Sequence, residues 1–136
     1  MEKRIDLDYH ESEKIEVHRG DGGTLTVKLS SYDIPHSIVG SRAADGGILI
    51  RFNYLDREPE VQKQINATIT LLTGKHSGKI LGMIVDSKKE PVGTIKFVVE
   101  SLRGMEPKLL QENQRMNFGV VGGVLSRKGT ELLSAI

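Results

Sequence analysis

The sequence contains no cysteine and no tryptophan, and aromatic residues make up only 4% of its 136 residues. The absence of cysteine excludes disulfide bridges, thiolate zinc sites and cysteine nucleophiles. The shortage of aromatic side chains argues against a surface that stacks on sugars or on nucleic-acid bases. Any binding or catalysis must therefore use other side chains.

A large charge of one sign and a long apolar run are also missing. The 19 basic and 18 acidic residues leave a net charge of +1, which excludes a strongly basic nucleic-acid arm and an acidic tail. No apolar run approaches the roughly 20 residues that span a bilayer, and the charged, alternating segment 1–8 lacks the apolar stretch of a signal peptide. We therefore predict a cytoplasmic protein that does not contact a membrane.

Glycine is the residue type that stands out. The chain has 15 glycines, and its length suits a single domain spanning 1–136. Most of the glycines lie between candidate strands, where glycine is a common turn residue. The cluster at 119–123 has no such position, so we expect it to have a packing or binding role.

Alternation of apolar and polar residues predicts strands in the first half of the chain. Three segments show it: 14–18, 24–29 and 48–54. A glycine-rich hairpin loop at 19–23 connects the first two. We predict an irregular loop at 30–45, because Pro35 and polar residues dominate there.

The segment 60–73 carries mixed signals. Val61 and Ile65 are four residues apart and follow Pro59, which predicts a short helical turn at 60–64. Alternation beyond that turn predicts a strand in the rest of the segment.

Two more strands are predicted after a glycine-rich hairpin loop at 74–78. The segment 79–86 is apolar on both faces, so we expect a central strand that is covered on both sides. At 93–100, apolar residues at alternate positions predict another strand.

The last third of the chain favours helices. A helical pattern begins at Pro107, the segment 119–125 is interpreted as a loop or short edge strand, and Ser126 as the cap of a last helix. This order predicts an α+β fold, a mainly antiparallel β meander of about five to seven strands with one or two C-terminal helices packed on the sheet. The helices would cover one face of the sheet, and a second copy of the chain is our candidate for the other.

The segment 74–79, Gly-Lys-His-Ser-Gly-Lys, differs from a phosphate-binding P-loop in spacing and in context. Only three residues separate its glycines, Ile80 stands at the position of the magnesium-binding hydroxyl, and a strand follows it rather than a helix. We interpret it first as a polar hairpin tip. Its alternative role is to hold a small anion through backbone N–H groups and four side chains, those of Lys75, His76, Ser77 and Lys79.

No other motif indicates a catalytic centre. The four histidines are not at metal-ligand spacing, so we predict no metal site, and no serine lies in a nucleophile elbow. The carboxylate pairs Asp6 with Asp8 and Asp56 with Glu58 are interpreted as solvated, and Asp86 as a turn residue. We therefore expect no cofactor and favour a protein that is not an enzyme.

Our preferred hypothesis is a non-catalytic interaction or regulatory module that self-associates as a homodimer, with another protein as a further candidate partner. The first alternative is a small-anion or phosphate-ligand binder, or an enzyme, that uses the 74–79 loop together with the long loop at 33–45. The second is weak nucleic-acid binding, which rests on ten basic against six acidic residues between 75 and 136. The identity of the ligand or partner, and whether the two loops share a pocket, stay open at this point.

Overall fold

The structure is a computed structural model of the chain. It describes residues 2–7, 14–18, 22–28, 31–105 and 112–136. The strands in these residues are β1 (Glu2–Asp6), β2 (Lys14–His18), β3 (Thr24–Lys28), β4 (Ser37–Arg42), β5 (Ile48–Asn53), β6 (Glu60–Gln64), β7 (Ile69–Gly74) and β8 (Ile80–Val85). The helices are α1 (Pro91–Met105), α2 (Glu112–Val124) and α3 (Thr130–Ser134), and a π-helical turn, Leu125–Gly129, joins the last two. None of the described helices has the length and apolarity needed to cross a membrane.

Six of the strands form one antiparallel sheet in the order β1-β4-β5-β8-β7-β6. The other two, β2 and β3, pair with each other in the predicted antiparallel hairpin. β8 lies between β5 and β7 in the middle of the large sheet, so its predicted central position is confirmed. The helices follow the sheet in the chain, and their buried residues form one core with those of the sheet. The predicted α+β fold is confirmed.

The core lies between one face of the sheet and the helices. On β5, Ile48, Ile50 and Phe52 are buried, whereas Arg51 and Asn53 are exposed, so the predicted alternation is confirmed. Full burial of one such aliphatic or aromatic side chain contributes about 2 kcal/mol. This face of the sheet therefore holds the helical layer in place and leaves the other face free of helices.

The segment 93–100 is helical, and the predicted strand there is wrong. Ile95, Val98 and Leu102 lie three and four residues apart along α1, and all three are buried. Pro91 is the first residue of α1, a position where its missing N–H removes no helical hydrogen bond. The same stretch also fits a two-residue period, so only packing against the sheet distinguishes the two patterns.

The loop or edge strand predicted at 119–125 and the helix cap predicted at Ser126 are also wrong. α2 runs through the glycines, and Val121 and Val124, three residues apart, are buried in the core. Their burial offsets the cost of about 1 kcal/mol for each glycine in a helix. The hydroxyl of Ser126 donates a hydrogen bond to the carbonyl of Gly122, and no side chain caps α3.

Two further segments differ from their predictions. The predicted helical turn at 60–64 is β6, and the irregular loop predicted at 30–45 contains β4, where Ile38 is buried. All five side chains of β6 are exposed, so its pairing with β7 holds it as a strand and no apolar pattern indicates it. The predicted helix start at Pro107 and residues 19–21 of the predicted hairpin loop lie outside the described residues.

Candidate functional site

The loop predicted to hold an anion, 74–79, connects β7 to β8 and contacts the segment that follows β5. The N–H of Lys75 donates to the carbonyl of Pro59 at 2.8 Å, and the N–H of Gly74 donates to the carbonyl of Lys79 at 2.8 Å. The loop is therefore a hairpin tip whose backbone is held against a second loop.

Two backbone N–H groups of this hairpin bind a carboxylate of the chain itself. The N–H groups of His76 and Ser77 donate to Oε1 of Glu58 at 2.8 and 2.9 Å. Successive backbone N–H groups in a turn form a concave site that attracts anions. A Cβ atom at Gly74 would collide with Oε1 of Glu58, so a larger residue at this position would displace the carboxylate. An internal anion thus lies where the sequence predicts an external one.

The surroundings of Glu58 favour its ionised form. Partial burial by itself raises the pKa of Glu58, but hydrogen bonds from Ser77 and His76 and the charge of Lys79 outweigh it and lower the pKa below its ordinary value. The interpretation of Glu58 as a solvated carboxylate is therefore wrong. Since 18 residues separate Glu58 from His76, no local motif indicates the contact.

Lys79 ties three segments together at the base of the hairpin. Its Nζ lies 3.1 Å from Oδ1 of Asp56 and donates to the carbonyl of Tyr32 at 3.1 Å. The same ammonium lies 4.7 Å from the ring centroid of Tyr54, within range of a cation–π interaction. Only 14% of the Lys79 side chain is exposed, so its charge is largely shielded from water. Its contacts therefore help to stabilise the fold.

The four predicted site residues therefore share one turn but have different surroundings. The hydroxyl of Ser77 accepts a hydrogen bond from the N–H of Lys79 at 3.0 Å, and Lys79 is engaged as described. Lys75 and His76 are exposed. Binding of an external anion by these four side chains stays a prediction.

A buried polar triangle connects α2 to the start of β8 next to this hairpin. Asn117, which is 3% exposed, accepts from the N–H of Ile80 at 2.8 Å and donates to the hydroxyl of Tyr54 at 2.9 Å. The hydroxyl of Tyr54 donates in turn to the carbonyl of Ile80 at 2.9 Å. Burial raises the pKa of Tyr54 far above its ordinary value, so the phenol stays a neutral donor. The triangle positions the Tyr54 ring beneath Lys79.

Substitution of Glu58 by glutamine is expected to lower the free energy of unfolding by about 2 kcal/mol at pH 7, because the two N–H groups exchange a charged acceptor for a neutral one. Because the folded protein holds the pKa of Glu58 below its ordinary value, the ionised carboxylate contributes this stability at neutral pH. The contribution is lost as the pH falls through the folded-state pKa. Urea unfolding of the wild type and of Glu58→Gln at decreasing pH measures it.

The control for this measurement is Glu100→Gln, an exposed position on α1. We expect its stability to stay within about 0.5 kcal/mol of the wild type at neutral pH. If Glu58→Gln and Glu100→Gln followed the same stability curve between acid and neutral pH, the internal anion would contribute nothing.

A groove with a volume of about 480 Å³ opens next to Glu58 on the helix-free side of the sheet. Its lining includes three arginines and three carboxylates, Arg4, Arg51, Arg57, Asp56, Glu58 and Glu60. Arg51 pairs with Glu60 at 3.1 Å, and Arg4 pairs with Asp6 at 3.0 Å. Because these residues come from separate segments of the chain, no local motif indicates the groove.

The helix-free face of the sheet also carries aliphatic side chains. The strand register places Leu49 beside Ile84 in one row, and Val39, Arg51, Gly82 and Leu72 in the next. Val39 and Leu49 are half-buried and lie outside the core between sheet and helices, whereas Leu72 is buried at 2% exposure. Ile84 is 39% exposed. The described helices therefore leave an apolar strip of three partly exposed side chains on this face, Val39, Leu49 and Ile84.

In the part of the chain that the structure describes, no three His, Asp or Glu side chains come together as metal ligands. Comparison with family models, with curated proteins and with solved structures finds no match to this chain.

Proposed function

We propose that the protein is a non-catalytic interaction module that self-associates through the helix-free face of its sheet. The observation that carries the proposal is the apolar strip on that face, formed by the partly exposed side chains of Val39, Leu49 and Ile84. A sheet with aliphatic side chains on both faces needs a second layer, and helices provide it on one face only. A copy of the same sheet provides it on the other, as in aligned sheet-on-sheet packing.

The charges on this face suit a second copy of the chain. A two-fold dimer brings the same patch together from both sides, so the patch must complement itself. The ion pair between Arg51 and Glu60 lies on this face, with 45% and 38% of the two side chains exposed. A patch that carries both signs beside an apolar strip can meet its own rotated copy without placing like charges opposite each other.

Substitution of Ile84 by glutamate is expected to abolish the dimer, because a charge would be desolvated at the centre of the proposed interface. Ile84 points away from the core, so the variant should keep the fold. Size-exclusion chromatography with light scattering should give about twice the 15.0 kDa chain mass for the wild type and the single chain mass for the variant.

The matched control is Val92→Glu, a substitution on α1 at a side chain that is 61% exposed and lies in the helical layer. It should leave the mass of the dimer unchanged. A wild-type protein that stays at 15.0 kDa at high concentration would refute the proposal. Loss of the dimer in both variants would refute the choice of interface.

Two other functions stay as alternatives to be tested on the same protein. The first is binding of a small anion by Lys75, His76, Ser77 and Lys79, for which exposed Lys75 and His76 are the available side chains. The second is weak nucleic-acid binding, which predicts an affinity that falls steeply with salt.

A further inference from the structure

We infer that the groove between β1, β5 and the segment that follows β5 binds a small molecule through an oxyanion group, a phosphate or a carboxylate. The groove lies on the helix-free side of the sheet and has a volume of about 480 Å³, which is in the range of small-molecule sites. The inference goes beyond the proposed self-association, because it rests on Arg4 and Arg57, which lie outside the apolar strip.

Three arginines from separate parts of the chain line this groove. Arg4 comes from β1, Arg51 from β5, and Arg57 from the segment between β5 and β6. A guanidinium presents parallel N–H groups that match the geometry of carboxylate and phosphate oxygens. In the sheet, only β4 separates β1 from β5, so Arg4 and Arg51 lie near each other.

The carboxylates that line the groove are already engaged. Asp56 pairs with Lys79 at 3.1 Å, and Glu60 pairs with Arg51 at 3.1 Å. Oε1 of Glu58 accepts the two N–H groups of the 74–79 loop.

Arg57 also lines the groove, and it takes part in none of these pairs. Among the described residues it makes no hydrogen bond or ion pair, and it is exposed. Arg4 uses Nε on Asp6 at 3.0 Å, which leaves its two terminal nitrogens for a ligand. Arg57 and the terminal nitrogens of Arg4 are therefore the donors of the groove that pair with none of its lining carboxylates.

The rest of the lining supplies an apolar contact and a polar anchor. Leu55, which is 54% exposed, and Leu81 present aliphatic surface to the groove. Asn53 donates to the hydroxyl of Ser37 at 2.9 Å, so both side chains are fixed in the wall. This combination fits a small molecule with one charged end and a less polar body.

Binding is tested by titrating ¹⁵N-labelled protein with inorganic phosphate and, separately, with succinate, at an ionic strength held constant with sodium chloride. We expect saturable shifts of the backbone signals of Asn53, Arg57 and their neighbours. Arg57→Ala should weaken the binding about tenfold, the effect of one lost charge-assisted hydrogen bond. Arg103→Ala, at an exposed arginine on α1, should leave it unchanged.

Phosphate binding alone would support a phosphate ester as the ligand, and succinate binding alone a carboxylic acid. Shifts no larger than those of sodium chloride for both probes, or equal affinity in Arg57→Ala and wild type, would overturn the inference. Because Arg57→Ala removes no residue of the apolar strip, its mass in light scattering should match the wild type. Failure of the ligand site and failure of the dimer are therefore separate results.

Discussion

Replacing Asn117 by alanine is expected to lower the free energy of unfolding by about 3 kcal/mol. The change removes the acceptor for the N–H of Ile80 and a donor to the hydroxyl of Tyr54, at 2.8 and 2.9 Å. Asn117 is 3% exposed, and its hydrogen bond from the N–H of Ile80 is buried, so that N–H loses its acceptor inside the core. Alanine is the better helix former. The loss must therefore come from the buried groups left without partners.

Urea unfolding of Asn117→Ala, Tyr54→Phe and the double variant measures this contribution. Because both substitutions act on one hydrogen-bonded triangle, the double variant should lose less stability than the sum of the two single losses. Ser134→Ala, at an exposed position of α3, is the control and should change stability by less than about 0.5 kcal/mol. A loss for Asn117→Ala as small as that of the control would show that the triangle does not hold α2.

Replacing Gly82 by alanine is expected to lower the free energy of unfolding by a similar amount, about 3 kcal/mol. Gly82 lies in β8, opposite Arg51 of β5. A Cβ atom there would lie 2.8 Å from the carbonyl oxygen of Ile50 and 3.3 Å from Cδ1 of Leu72. The closer contact is with backbone of a paired strand, which cannot move without breaking the ladder. Overpacking in the middle of the sheet is therefore relieved only by distorting it.

The matched control for this substitution is Gly122→Ala in α2, where a Cβ atom would meet nothing within 4 Å. Alanine should stabilise the protein there by about 1 kcal/mol, because glycine is the poorer helix former. Thermal unfolding of both variants should shift in opposite directions. Equal stability of Gly82→Ala and Gly122→Ala would contradict the close approach of β5 and β8.

Gly82 and Gly122 also bear on the packing or binding role expected for the glycine cluster at 119–123. Among the described residues, no atom lies within 4 Å of a Cβ placed at Gly122, so Gly122 is not needed for close packing against them. Gly82 and Gly74, in contrast, are positions where a neighbouring atom occupies the place of a side chain. The sequence predicts Gly74 as a turn residue, and only its contact with Glu58 shows a second role.

The candidate sites likewise combine features that a local segment predicts with contacts between residues that are distant in the chain. The glycine-rich hairpin and its polar tip were predicted from the segment 74–79 itself. The anion bound by its N–H groups is Glu58, 18 residues away from His76, and no pattern connects the two. The groove lined by Arg4, Arg51 and Arg57 was not predicted, because it exists only where β1 and β5 come close to the segment after β5.

Local sequence patterns are enough to predict the α+β class. They also predict those strands and helices in which buried residues recur with one clear period. In β5, Ile48, Ile50 and Phe52 face the core, and their spacing alone indicates a strand. In α1, two periods fit the same residues, and packing against the sheet selects the helix. β6 has no buried side chain and is a strand because β7 pairs with it. Tertiary structure decides in these cases because the deciding interactions join residues that are distant in the chain.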